Sequence, residues 1–434
     1  MNLLASKTGR LTAFFLLYLT EGLPQGFALV AMVTWMRRDG IGVAEIGAFS
    51  GALVLPWTLK LLFGPMVDLL RSKRFGHRRA WILGSQLLMA AGLLVAGTID
   101  MSQSFQLFMG VMVLVNACAA LQDVAIDGLA VATLPEDEQG VGNGLMFAGA
   151  YVGLTAGGAG MLKFGAAMGD PSWTFPAVAF MVALVTLFVV VPMREEPSEA
   201  APPGQLTEAI REYVVTATRS MFSNRSTLAA LVLALLPIGA LSLGMVIGSS
   251  LGVEFGLTDD EIGNLSLIGG IVAALGSVSG GLISDRLGHR RSLAAYVIFS
   301  VIPPLLLAYT MSVHGWIFPV EPGAQTAPED LLNVFWYGSI FYGFFMGLMY
   351  GTRAAIFMQV CNPQVGATQF TAYMSGQNIV NMYSNPLQGH LAESQGYPHT
   401  ILFDVCFGLV CLAALPFVIP VDYGDADHPA DVPA

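Results

Sequence analysis

The chain is laid out as twelve long apolar stretches, near 11–36, 46–70, 80–99, 105–134, 140–162, 173–193, 227–254, 262–284, 292–311, 332–361, 367–391 and 399–421. As helices these stretches are long enough to cross the ~30 Å hydrocarbon core of a bilayer. Inside that core no water is available to satisfy backbone N–H and C=O groups, so segments of this length cross as helices. Composition agrees: 55% of the residues are hydrophobic and 11% are charged. A soluble domain carries about 25% charged residues. Several stretches exceed the ~20 residues a crossing needs, which predicts tilt. The expected class is therefore an all-α integral membrane protein in contact with the lipid bilayer.

The basic residues orient the spans. With the N-terminus inside, fourteen of the nineteen lysines and arginines fall on the cytoplasmic side. Arg37, Arg38 and Lys163 fall outside, and Lys60 and Arg353 lie within spans. The positive-inside rule thus predicts both termini in the cytoplasm of a plasma (inner) membrane, in line with an even span count. The N-terminal run lacks a small-residue cleavage site and continues past Pro24, so it reads as a retained first span. The net charge of −11 leaves no basic face for nucleic acid. One long polar stretch, 194–226, begins as a linker and ends in QLTEAIREYVVTATRSMF. There Leu206, Ile210, Val214, Ala217 and Met221 share a helical face. That pattern predicts an amphipathic helix on the inner membrane surface, with docking on a partner as the other reading.

A repeat divides the chain. GHRR stands at 76–79 and again at 288–291, an offset of 212. Glu45-Ile46-Gly47 matches Glu261-Ile262-Gly263 at an offset of 216, and Asp68 matches Asp285 at 217, the first loop being five residues longer. Spans two and three therefore recur as spans eight and nine. The expected organisation is a six-helix N-terminal half (1–193), a cytoplasmic linker with its amphipathic helix (194–226), a six-helix C-terminal half (227–421) and an acidic cytoplasmic tail (422–434). Two parallel six-span halves resemble the major facilitator superfamily, whose substrate site lies between the halves near the midplane. The repeated G…D…GHRR resembles that superfamily's loop between spans two and three. The resemblance implies a monomeric twelve-helix transporter working by alternating access. Asp68, Arg78, Arg79, Asp285, Arg290 and Arg291 then become candidate gating residues, whose pairs lock the cytoplasmic side in one state and release it in the other. A positive-inside anchor would need the charge of these loops but not the repeated aspartate.

Four stretches resemble a narrower group within that superfamily: EGLPQGF at 21–27, LPWTLKLLFGPMVDLL at 55–70, LQDVAIDGLAV at 121–131 and GATQFTAYMS at 366–375. The group contains the AmpG-type muropeptide permeases, the acetyl-CoA transporters and a set of bacterial siderophore permeases. It implies proton-coupled import of a small polar solute, with muropeptide as the first candidate and a siderophore or an acetyl-CoA-like solute as alternatives. AmpG-type permeases typically carry two additional spans, for which this chain shows no stretch.

Ionisable residues inside the membrane cost about 3 kcal/mol or more, so they face a partner, a cavity or a mechanism. Glu21 lies near the middle of the first span and is followed by Gly22, Pro24 and Gly26, which weaken the local helix. It is read either as a proton-coupling carboxylate or as the ion-pair partner of Lys60, itself near mid-span. Asp123 and Asp127 are four apart on the fourth span and share a face, which favours a shared proton. Asp123 is the candidate for chemistry. Asp127 is the candidate for the gate, paired with Arg78 or Arg79. Arg353, in the tenth span, suits bidentate recognition of a carboxylate or phosphate, with an ion pair to Asp123 as the other reading. On the eleventh span Tyr373, Gln377, Asn381, Ser384 and Gln388 form a polar stripe. Gln377 and Asn381 are its candidate substrate ligands, and helix packing is the competing role.

No cofactor is called for. The four cysteines are scattered and form no CxxC pair, the six histidines form no HExxH, and no phosphate-binding loop follows a strand. The rival class is a membrane-embedded transferase. It would want two aspartate motifs, and Asp123 with Asp127 supplies one. A transporter-like sensor or assembly factor is the third reading.

Overall fold

The computed structural model describes residues 2–38, 43–70, 72, 75–195, 206–222, 224–240, 251–252, 254–257, 259–320 and 325–423. They form helices, with no strand among the described residues. In chain order these are α1 Lys7–Met36, α2 Val43–Thr58, α3 Phe63–Leu69, α4 Arg78–Ala96, α5 Gln103–Thr133, α6 Glu136–Met168, α7 Pro171–Val190, α8 Leu206–Phe222, α9 Arg225–Leu235, α10 Asp259–Leu287, α11 His289–Val313, α12 Glu329–Met358, α13 Gly366–Gln395 and α14 Tyr397–Phe417.

Nine of the described helices are long and apolar enough to cross a membrane. The other three expected spans depart for identifiable reasons. Span 46–70 is broken at Leu59 into α2 and α3, joined by a tight turn at Lys60–Leu62. Pro65 cannot donate to the carbonyl four residues back, and its ring crowds that carbonyl, so the chain tightens just before it. Span 367–391 is the full-length α13, but its amides and hydroxyls lower its hydropathy. Span 227–254 begins as α9, and its residues 241–250 lie outside the described set. Large apolar side chains such as Leu88, Phe180, Phe188, Leu275 and Tyr309 are more than half exposed. An exposed belt of that kind suits lipid and not water.

Within each half, glycines let helices touch backbone to backbone. A Cβ at Gly22 would strike the Ala150 carbonyl, and one at Gly153 the Leu19 carbonyl, so α1 and α6 pack at the closest possible distance. The same device joins α9 to α13, where a Cβ at Gly376 would strike the Ala234 carbonyl. The halves meet along two seams, α6 against α10 and α12, and α3 and α5 against α13.

Candidate functional site

The N-terminal half places five ionisable groups together. Tyr18 and Glu21 stand three apart on α1, and Asp123 and Asp127 four apart on α5, so each pair shares a helical face. Lys60 comes from the break between α2 and α3, which turns its side chain inward. Its Nζ lies 2.9 Å from Asp123 Oδ2, with both side chains buried. Glu21 lies against Asp123. It is half-buried, and its Oε2 is sealed without a hydrogen-bond donor. Tyr18 donates a short hydrogen bond to Asp127. Behind them Gln122 and Gln86 both donate to Thr20 Oγ1, at 3.1 and 3.0 Å, and Thr186 donates to Gln86 at 2.6 Å. This buried polar network fixes the rotations of α1, α4, α5 and α7 around the cluster.

The C-terminal half faces it with Arg353, which is 3% exposed. Its Nη1 donates to Gln377 Oε1 at 2.5 Å, and Gln377 Nε2 donates to Asn381 at 2.9 Å. The guanidinium lies over the Tyr350 and Phe357 rings, 5.3 and 5.9 Å from their centroids. Its Nη2 is buried without a partner, beside a small cavity lined by Ile238, Met346, Met349, Tyr350 and Gln377. The rest of the α13 stripe serves packing. Tyr373 donates to the Thr227 carbonyl, and Gln388 donates to the buried Asp404 at 2.9 Å. Aromatic rings link the two sides: Tyr18 to Phe147 at 6.1 Å, and Phe147 to Tyr350 at 5.4 Å.

The repeated aspartates close the two seams at the end of the molecule that carries the GHRR loops. Each accepts from the N-terminus of a helix in the opposite half. Asp285, on α10, takes the Gly140 and Val141 amides at 2.8 Å each. Asp68, on α3, takes the Thr368 amide of α13 at 3.0 Å. Carboxylates at helix N-termini gain from the orphan amides and from the helix dipole. The α6–α10 seam is sealed further by backbone contact, since a Cβ at Gly281 would strike the Gly140 carbonyl and one at Gly144 the Ser277 carbonyl. Toward the other end the same two helices part around a cleft of about 400 Å³, lined by Tyr151, Thr155, Lys163, Leu267 and Gly270.

The family model described as Major Facilitator Superfamily matches residues 13–251 and again residues 230–434. The chain belongs to the major facilitator superfamily. Among curated proteins it is 25% identical over 425 residues to the anhydromuropeptide permease of Escherichia coli (strain K12), covering 94% of this chain and 78% of that protein. It is 24% identical over 421 residues to "Putative transporter AmpG 4" of Rickettsia conorii, covering 95% and 97%. Among solved structures it resembles the E. coli fucose:proton symporter FucP, with a TM-score of 0.60 at 14% identity, covering 95% and 98% of the two chains. It also resembles the proton:xylose symporter XylE, with a TM-score of 0.70 at 12% identity, covering 96% and 97%. These structural likenesses show the fold. The resemblance to AmpG-type permeases thus extends over nearly the whole chain, and the protein is a major facilitator transporter in a membrane, not a transferase.

At four points the structure bears on readings that the sequence left open. Glu21 does not pair with Lys60, whose partner is Asp123. Asp127 does not reach Arg78 or Arg79 and is held by Tyr18. Arg353 pairs with Gln377 and not with Asp123. The two GHRR loops differ as well. Arg78 is buried, 3.9 Å from Asp68 and 3.6 Å from Glu195, and Arg79 donates to the Val190 and Val191 carbonyls. Arg290 and Arg291 are exposed, and Arg290 donates to the Pro416 carbonyl at 3.4 Å. Tyr18, Phe147, Tyr350 and Asp404 were not among the expected site residues. For Tyr18 the signal was its i, i+3 spacing from Glu21, whereas the ring contact across the halves, Phe147 to Tyr350, leaves no mark in sequence.

Proposed function

We propose that this major facilitator transporter is a proton-coupled symporter that imports a polar, anionic solute, muropeptide first among the candidates, by alternating access across the inner membrane with both termini cytoplasmic. The observation that carries the proposal is the unequal charge of the midplane cluster. Three carboxyl groups, Glu21, Asp123 and Asp127, surround one lysine. Lys60 neutralises Asp123, Tyr18 occupies Asp127, and Glu21 is left half-buried with one oxygen undonated. A carboxyl group in that position is stable when it holds a proton and is released from that demand when water reaches it.

Across the interface Arg353 offers an open, buried N–H next to Gln377 and Asn381, which suits one carboxylate or phosphate oxygen plus neighbouring hydroxyls. Near the GHRR loops the α6–α10 seam is held by the Asp285 cap and backbone contact, and toward the other end it parts around the cleft, a shape that suits solute entry from outside when the GHRR loops face the cytoplasm. The relatives named as muropeptide and AmpG permeases make muropeptide the first solute to try.

The test is a thermal-shift panel on purified protein with a muropeptide, acetyl-CoA and a siderophore. The muropeptide is expected to raise the melting temperature of the native protein, and Arg353→Ala to remove that rise. A shift with another solute alone would reject muropeptide as the cargo. A muropeptide shift that persists in Arg353→Ala would reject the role given to Arg353.

A further inference from the structure

The linker helix α8 lies outside the expected spans, yet it does not hang free. Ser220 is buried, accepts from Asn362 Nδ2 at 3.0 Å, and gives its carbonyl to Gln369 Nε2 at 3.1 Å, so α8 is seated on the C-terminal half. Two turns earlier Tyr213 reaches the seam itself. Its hydroxyl donates to Asp68 Oδ2 at 3.2 Å and makes a short hydrogen bond with Thr368 Oγ1. Asp68 Oδ2 also accepts the Thr368 amide at 3.0 Å. The donors and acceptors close into a ring. Thr368 Oγ1 donates to the tyrosine oxygen, the phenol donates to the carboxylate, and the Thr368 amide donates to the same carboxylate oxygen. Burial and the Asp68 charge push the Tyr213 phenol well above its ordinary range, so it remains a donor. At the other seam Asp285 is met by backbone amides and by His289, at 3.7 Å.

We infer that Tyr213 is a positioning residue for the transport cycle: its hydroxyl holds Asp68 of the N-terminal half against Thr368 of the C-terminal half, so that the linker helix latches the α3–α13 seam in the closed state. Opening the GHRR end must break this ring, because Asp68 leaves with one half while Thr368 and the seat of α8 stay with the other. The linker thereby sets the balance between the two states from outside the solute path. The inference rests on the gate role proposed for Asp68.

The test is a distance measurement by double electron–electron resonance on the full chain in nanodiscs. Spin labels go on Phe75→Cys and Gln364→Cys, two exposed positions flanking the seam, in a Cys406→Ser background. Tyr213→Phe keeps the aromatic ring and loses both hydrogen bonds of the hydroxyl, one of them to a charged acceptor, so the open-to-closed ratio is expected to rise roughly tenfold. Thr368→Val breaks the same ring, and the double variant should open no further than the larger single. Val214→Ala, on the exposed face, should leave the ratio unchanged. If Asp68→Asn opens the seam and Tyr213→Phe does not, the latch is overturned and the gate stands. If neither opens it, both fall. A lower melting temperature in Tyr213→Phe with an unmoved ratio would mark α8 as a structural anchor and also overturn the latch.

Discussion

Lys60 compensates one of the three carboxyl groups around it, and the choice it makes sets the roles of the others. Its bond to Asp123 at 2.9 Å ties α5 to the break between α2 and α3. Removing one partner of a buried ion pair costs about 3 kcal/mol, because the other charge is stranded. Asp123→Asn is therefore expected to lower stability by roughly that amount, read as a fall in melting temperature, with Lys60→Met restoring most of it in the double variant. Glu21→Gln strands nothing. It should give folded protein that exchanges solute across the membrane in counterflow but does not accumulate it against a gradient, as measured with labelled solute in proteoliposomes. Accumulation at the native level would remove Glu21 from the coupling step. Tyr18 and the place of Asp127 aside, the membership of this cluster was legible in the sequence, because an ionisable residue in mid-span is costly and must be explained. Its pairing was not. Which residue meets Lys60 depends on how the break at Leu59 turns the side chain, and Asp127 could be assigned to Tyr18 only once α1 and α5 were seen side by side.

Among the elements, glycines at helix crossings fall into two kinds. Gly153 lies inside one half, between α1 and α6, whereas Gly144 and Gly281 lie on the α6–α10 seam, which must part in the proposed cycle. Gly153→Leu is thus expected to abolish folded protein, visible as loss of a monodisperse peak in size-exclusion chromatography. Gly144→Val should fold and bind solute but fail to close the GHRR end, and transport should fall by at least about tenfold (~1.4 kcal/mol against closure). The spans were readable from apolar length, and the turn into α3 was encoded at Pro65. The seat of α8 was not readable. Leu206, Ile210, Val214, Ala217 and Met221 make the same apolar pattern for a lipid surface as for a protein groove. In the structure Val214 is 54% exposed, while polar Tyr213 and Ser220 make the contacts.

For the whole molecule, the repeat of Asp68 and Asp285 gives each half a carboxylate that caps a helix of the other. Two rigid halves must release both caps to open, so the two contributions should add in free energy. Asp68→Asn and Asp285→Asn are each expected to raise labelling of a cysteine at the buried Met358 by a membrane-impermeant maleimide about fivefold (~1 kcal/mol). The double variant should approach the product of the two. A double variant no faster than either single would mean that the seams do not move together. The sequence showed the two halves through GHRR and its matched offsets, but not which end is closed, because both states share every residue. The charge cluster, the parted cleft and the capped seams are what support the proposal that solute movement is tied to proton movement. The most direct measurement loads proteoliposomes with a pH-sensitive dye, imposes an inward proton gradient and adds muropeptide. Native protein is expected to acidify the lumen only when solute is added, and Glu21→Gln to show no solute-dependent change. Solute entry without proton entry in the native protein, or equal acidification in Glu21→Gln, would contradict proton coupling through this cluster.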